Sequence, residues 1–358
     1  MFKKITSAIA FSLLLPSMTH ATELPGTELY PGEAKLYEAA LEEGLVVSFD
    51  TGPTWANWGT MFKRFKERYQ GMDIVYNDLG SAATVVALDK AKRRPQADTA
   101  YYFAASGIDA ANKGLTADFR PLHADKIPPV FQHETGQWFT IHTLNMAFLV
   151  NKKLVDNVPE SWADLLKPEY RNSIVYQDPR STGQGQVVVL AANFGAGGDM
   201  DNFEPGIEYL AKLHGNGNVL RVTGTTPYAQ FLKGEIPIWI GYENDGFKAM
   251  VNDGMQEDIA VIIPKEASAA APYAISKVKN GPNPNAAELW LNYIMSSEGQ
   301  QTFAEGFVRP VLTDTPMPQS VAGKLKAAPQ IQPVDLLKAG KNKAQIDDAW
   351  TQRVLTQG

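Results

Sequence analysis

Cysteine is missing from all 358 residues. That excludes disulfides, thiolate nucleophiles and cysteine-based metal sites, and with them a lipid anchor on a Leu-x-x-Cys motif. Long apolar runs are missing too: beyond residue 21 no stretch approaches the ~20 residues of a membrane-spanning helix. Clusters of basic charge are absent, and a net charge of -6 with 20% charged residues describes an ordinary soluble surface. Nothing in it suits nucleic acid or anionic lipid. The chain has no G-x-S-x-G elbow, no H-E-x-x-H pair and no G-K-[ST] phosphate loop. His123, His133, His142 and His214 show no metal spacing, and nothing places a histidine beside Ser181. These absences predict a protein that is not an enzyme, without resident cofactor or metal.

What is present begins with Met1-Phe2-Lys3-Lys4, an apolar run over 8–15 closed by Pro16, and Thr19-His20-Ala21. That layout predicts a secretory signal peptide over 1–21, too short to span a bilayer, with export to the periplasm. An exported chain without disulfides rests on its core, and this length predicts two domains.

The rest of the chain alternates apolar runs with amphipathic segments. Strands are expected at 44–49, 72–76, 97–103, 145–150, 173–176, 237–242 and 259–263. Helices are expected at 58–69, 82–93, 106–113, 161–166, through 192 after the turn at 178–185, at 286–294, 296–305 and 343–355. This order predicts an α/β protein with mostly parallel sheets, which bind ligands at the carboxyl ends of their strands.

Three Ser/Thr/Gly turns fall at such ends: Gly80-Ser81-Ala82-Ala83-Thr84, Ser181-Thr182-Gly183-Gln184-Gly185 and Thr223-Gly224-Thr225-Thr226. Free N–H groups and the helix dipole make each a ready anion site. The plainer reading is that Ser81 and Ser181 are N-caps. Asp50, Thr54 and Trp55 follow the first strand, with Trp55 read as an aromatic wall and Trp58 as core. Tyr242, Glu243 and Asp245 follow another strand. The two acids are read as acceptors for sugar hydroxyls or partners for an amine, against the alternative of solvated loop acids.

Several stretches resemble the extracellular binding proteins of ABC importers, in the group that carries ferric iron, polyamines, thiamine or small organic phosphates. They are ESWADLLKPEYRNSIVYQDPRSTGQG at 160–185, PQADTAYY, FLKGEIPIWIGYEN and NPNAAELWLNYIMSSEGQQTFAEGFVRPV, in that order. The resemblance implies a two-lobed type II periplasmic binding protein fold. Each lobe would be a mostly parallel sheet flanked by helices, with the ligand cleft between them. Residues 22–118 plus 262–306 would form one lobe, and 119–261 plus 307–358 the other. It also implies hinge closure, an inner-membrane ABC permease as partner, a small-molecule ligand and a monomer.

In the iron carriers, the turns matching Ser81-Ala82 and Ser181-Thr182-Gly183 hold an anion. Their adjacent tyrosine pair is absent here, where Tyr242-Glu243-Asn244-Asp245 stands. Kept anion turns and missing iron ligands point to an organic ligand bearing phosphate or carboxylate, with a sugar phosphate or phosphorylated vitamin ranked first. A cationic amine is the next reading, and ferric iron the third.

Overall fold

A computed structural model of the chain describes residues 24–357; the expected signal peptide lies outside the described residues. The first lobe opens with α1 (Glu33–Glu43), β1 (Leu45–Phe49), α2 (Trp58–Arg68), β2 (Asp73–Tyr76), α3 (Ser81–Ala91), β3 (Thr99–Phe103) and α4 (Ala104–Asn112). β4 (Phe139–Asn151) then carries the chain across. The second lobe is built from β5 (Ile174–Gln177), α5 (Gly183–Gly195), α6 (Glu204–Gly215), β6 (Val219–Thr223), α7 (Tyr228–Leu232), β7 (Ile238–Tyr242), α8 (Glu243–Val251) and β8 (Ile259–Ile262). β9 (Ser268–Lys277) returns the chain, and α9 (Pro284–Met295) and α10 (Ser297–Glu305) close the first lobe. β10 (Arg309–Pro310), α11 (Gln319–Ala322), β11 (Ile331–Gln332) and α12 (Leu336–Arg353) follow, with α12 packed against elements of both lobes.

The strand order is β2-β1-β3-β9-β4-β7-β5-β6. Both flanks are parallel, β1 with β2 and β3, and β5 with β6 and β7. The middle is not: β9 and β4 run antiparallel to each other and to their outer neighbours β3 and β7. The lobes change within one strand. Asn145 of β4 still pairs with Ala270 of β9, and the next residue, Met146, pairs with Tyr242 of β7. The hydrogen-bonded ladder is thus continuous across the junction between the lobes.

Local sequence accounts for most elements. Trp58, Met61, Phe62 and Phe65 line one face of α2 and are buried, and Trp58 meets Tyr101 and Phe303 edge-on. The expected helix at 161–166 is only a 3-10 turn, Asp164–Leu166, because Pro168 follows too soon for a full turn to propagate. α12 is longer than its expected start at 343. Leu336, Ala339, Ile346 and Trp350 form its buried stripe, which packs against both α4 and α6. Trp350 donates its indole N–H to Tyr176 at 3.1 Å, under the Arg180 guanidinium.

Candidate functional site

The carboxyl ends of β1, β5 and β7 converge on one cavity of about 510 Å³, mouth included. From the first lobe its wall takes Asp50, Trp55, Asp78, Gly80 and Ser81; Tyr273 comes from β9. From the second it takes Gln177, Thr182, Gly183, Gln184, three residues of the 224–226 turn, Tyr242 and Asp245.

On the first-lobe side, Asp50 leaves β1 with φ 62, a left-handed conformation that short acids tolerate. The turn aims its carboxylate at the loop before α3, where it accepts the Gly80 N–H at 2.7 Å. Gly80 must be glycine: its φ is 87, and a Cβ there would stand 2.8 Å from the Ser181 carbonyl of the opposite lobe. Ser81 does not cap α3. Its hydroxyl accepts the Phe103 N–H at 2.9 Å, tying the helix start to β3.

On the second-lobe side, Thr182 caps α5, accepting the Gly185 N–H at 3.0 Å and donating to the Asp178 carbonyl at 2.9 Å. The Gly183 and Gln184 N–H groups have no acceptor among the described residues. Gln184 adds a third donor. Its Oε1 accepts the Trp239 indole N–H at 3.1 Å, and an indole can only donate. The amide is thereby oriented, leaving its NH2 group without a protein partner at the wall. Gln184 is 6% exposed.

Not every expected residue reaches the wall. Thr54 is exposed and engages only through its carbonyl, which accepts from Lys248 Nζ at 3.0 Å. Ala82 and Ser181 meet each other instead, N–H to carbonyl at 3.2 Å, so they form the contact between lobes beside the cavity. Glu243 is buried in an ion pair with Arg309 Nε at 2.7 Å, and that guanidinium also holds the carbonyls of Leu325 and Lys326. Arg309→Ala would strand the buried Glu243 carboxylate and free the C-terminal segment. Urea denaturation should show a loss of about 3 kcal/mol, with ligand preference unchanged. Thr225 does line the wall, but α7 behind it is a single turn with little dipole.

Sequence reasoning passed over Asp78, Gln177 and Tyr273 as wall residues, and carried Gly80, Gln184, Gly224 and Thr226 only as members of the three anion turns. For Gln177 and Gln184 a signal existed, since one ends β5 and the other opens α5. Tyr273 had none, because β9 carries no pattern that marks it as the crossing strand.

Aromatic faces complete the cavity. Trp55 leans on Tyr101 and Tyr273, each 5.3 Å away between ring centres, and the Tyr242 and Tyr273 hydroxyls bond each other at 3.2 Å. Burial pushes both phenols far up, so they stay neutral. The acids are also shifted upward. Burial raises Asp78, and raises Asp50 against the opposing Gly80 N–H. Asp245, 3% exposed, is pushed up to about 7 by burial, opposed by Lys248 and Asn244.

Between the carboxyl's ordinary pKa and about 7, folded Asp245 keeps a proton that the unfolded chain has released. It therefore lowers stability as pH rises through that window. Asp245→Asn removes the effect. In ligand-free protein its stability advantage over wild type should grow from almost nothing at pH 4 to about 2 kcal/mol at pH 8. Thermal melts across pH check it.

The chain has known relatives. The family model for bacterial extracellular solute-binding protein matches residues 100–337. A periplasmic protein of Salmonella typhimurium (strain LT2), named for 2-aminoethylphosphonate binding, is 27% identical over 252 residues, 68% of this chain and 71% of its own length. Among solved structures, the periplasmic binding protein AfuA of Actinobacillus pleuropneumoniae, with exogenous fructose-6-phosphate bound, superposes with a TM-score of 0.74 at 20% identity. That match covers 87% of this chain and 99% of AfuA. The apo ferric ion-binding protein A of Pasteurella haemolytica gives 0.69 at 18%, covering 88% and 99%. At such identities these two likenesses speak for the two-lobed type II fold alone.

Proposed function

The chain belongs to the bacterial extracellular solute-binding proteins, and from that premise we propose that it captures a small organic phosphate or phosphonate for an ABC importer. Proteins of this family are not catalysts; they bind small ligands and work with membrane permeases. In this reading the protein acts in the periplasm as a monomer and delivers the closed, loaded form to an inner-membrane permease. The anion is held at the start of α5, with Ser81 and the start of α3 facing it.

One observation carries this reading: the Gln184 amide, oriented by Trp239, adds its NH2 to two free helix N–H groups on one side of the cavity. Three donors at a helix N-terminus match the acceptor-rich face of a phosphoryl group. The relative named for 2-aminoethylphosphonate binding supports the same class. Ferric iron is disfavoured. The two cavity tyrosines bond each other, and among the described residues no three His, Asp or Glu side chains are grouped to hold a metal.

The test is calorimetric titration with phosphorylated sugars, phosphorylated vitamins and 2-aminoethylphosphonate, each beside its phosphate-free or phosphonate-free counterpart. At least one charged member should bind about 100-fold or more tightly than its counterpart, as expected for two or three charge-assisted hydrogen bonds. Equal binding across every pair would refute the reading.

A further inference from the structure

We infer that the cleft also carries a cation subsite, so that the ligand is a zwitterion whose ammonium lies among Asp50, Asp78 and Asp245. The inference rests on the anion site proposed above and concerns the other end of the same ligand.

It starts from charge balance. Asp50, Asp78 and Asp245 line the cavity, and among the described residues no Lys, Arg or His does. None of the three forms an ion pair among the described residues. The charge of Lys248 acts on Asp245, but its ammonium is engaged by the Thr54 carbonyl and lies 4.3 Å from the Tyr228 ring centre. A dianionic phosphonate alone would bring further negative charge against this wall. A ligand with its own positive charge resolves the conflict, because Asp50 and Asp245 are buried, Asp78 beside them being exposed, and buried carboxylates are tolerated only when paired.

Side-chain partners point the same way. Asp245, 3% exposed, receives only the Asn244 amide at 3.3 Å. Gln177, 6% exposed on the same wall, has no side-chain partner among the described residues, and the buried Thr226 hydroxyl has none. These are unspent acceptors facing the cavity, as an ammonium with three donors requires. The neutral rings of Trp55, Tyr242 and Tyr273 stand beside them, and aromatic faces attract a desolvated organic cation. A bare metal ion fits less well, since the acids are spread around the wall and no three are grouped as ligands among the described residues.

The geometry divides the work between two sides. The start of α5, with Gln184, faces the anion. Asp50 and Asp78 from the first lobe, with Asp245 from the second, close on the amine. A ligand gripped by acids from both lobes favours the closed form, because each lobe alone offers an incomplete set.

Titration of the purified protein with 2-aminoethylphosphonate, ethylphosphonate and putrescine, near neutral pH, tests this. The zwitterion should bind at least about 100-fold more tightly than ethylphosphonate, the advantage of a buried charged pair. Asp245→Asn and Asp50→Asn should each cut that preference to about tenfold or less, while ethylphosphonate affinity holds or improves. Equal affinity for 2-aminoethylphosphonate and ethylphosphonate would overturn the cation subsite and leave the anion reading standing. Putrescine binding as tightly as the zwitterion would overturn the anion reading, and the zwitterion with it. Silence from all three would overturn both. The wild-type comparison decides the matter even if a variant fails to fold.

Discussion

Gln184→Glu is expected to weaken capture of the phosphate- or phosphonate-bearing ligand by about 100-fold or more, with a melting temperature close to that of wild type. The substitution keeps shape and volume, and a glutamate oxygen still accepts the Trp239 indole N–H, so the packing behind the wall is retained. What changes is the cavity side. An NH2 that donates becomes a carboxylate that repels, beside the free N–H groups of Gly183 and Gln184. A structural role for Gln184 would predict the reverse pattern, a lower melting temperature with affinity intact. A cleft that takes a simple amine would bind it more tightly after the change. Calorimetry and a thermal melt on the same samples separate the three outcomes.

Gly183→Leu should have an effect at least as large, by a different route. A Cβ on Gly183 would stand 2.7 Å from each of the Ser81 hydroxyl, the Phe103 Cβ and the Tyr273 hydroxyl, all on the first-lobe side of the cleft. These neighbours have little freedom. Ser81 is bound to the Phe103 N–H, Phe103 lies in β3, and Tyr273 is packed between Trp55 and Tyr101. The side chain would wedge the lobes apart, while α5 itself gains a better helix former in place of glycine. The ligand-free protein should keep its stability, and affinity should fall more than about 100-fold because closure is blocked. Small-angle scattering should show the wild type contracting with ligand and the variant failing to do so. A variant that still contracts would show that the lobes do not meet at Gly183 when loaded.

Both predictions centre on α5, where the sequence was most informative. The order of strands and helices, the buried stripe of α2 and the turn at Ser181-Thr182-Gly183 follow from local periodicity and turn chemistry, which act over a few neighbouring residues. The ordered motifs shared with importer binding proteins also supplied the two-lobed fold.

Other features depend on contacts between distant segments. β9 is missing from the strands expected from sequence, because its place as the central crossing strand comes from pairing with β3 and β4, far away along the chain. Tyr273 reaches the cavity for that reason alone. Asp78 arrives with the loop before α3, where the Gly80 N–H is held by Asp50 across 30 residues.

Glu243 and Asp245 show the division most clearly. Sequence placed an acidic pair after a buried strand, and both were read as facing the ligand. In the fold they open α8, where two residues subtend roughly 200° around the axis. One carboxylate is therefore turned to Arg309 and the other to the cavity. The sequence alone determined that acids, helix starts and aromatics gather at the ends of these strands. Which acid meets the ligand was decided by the helix phase and by the position of Arg309, both set by tertiary packing.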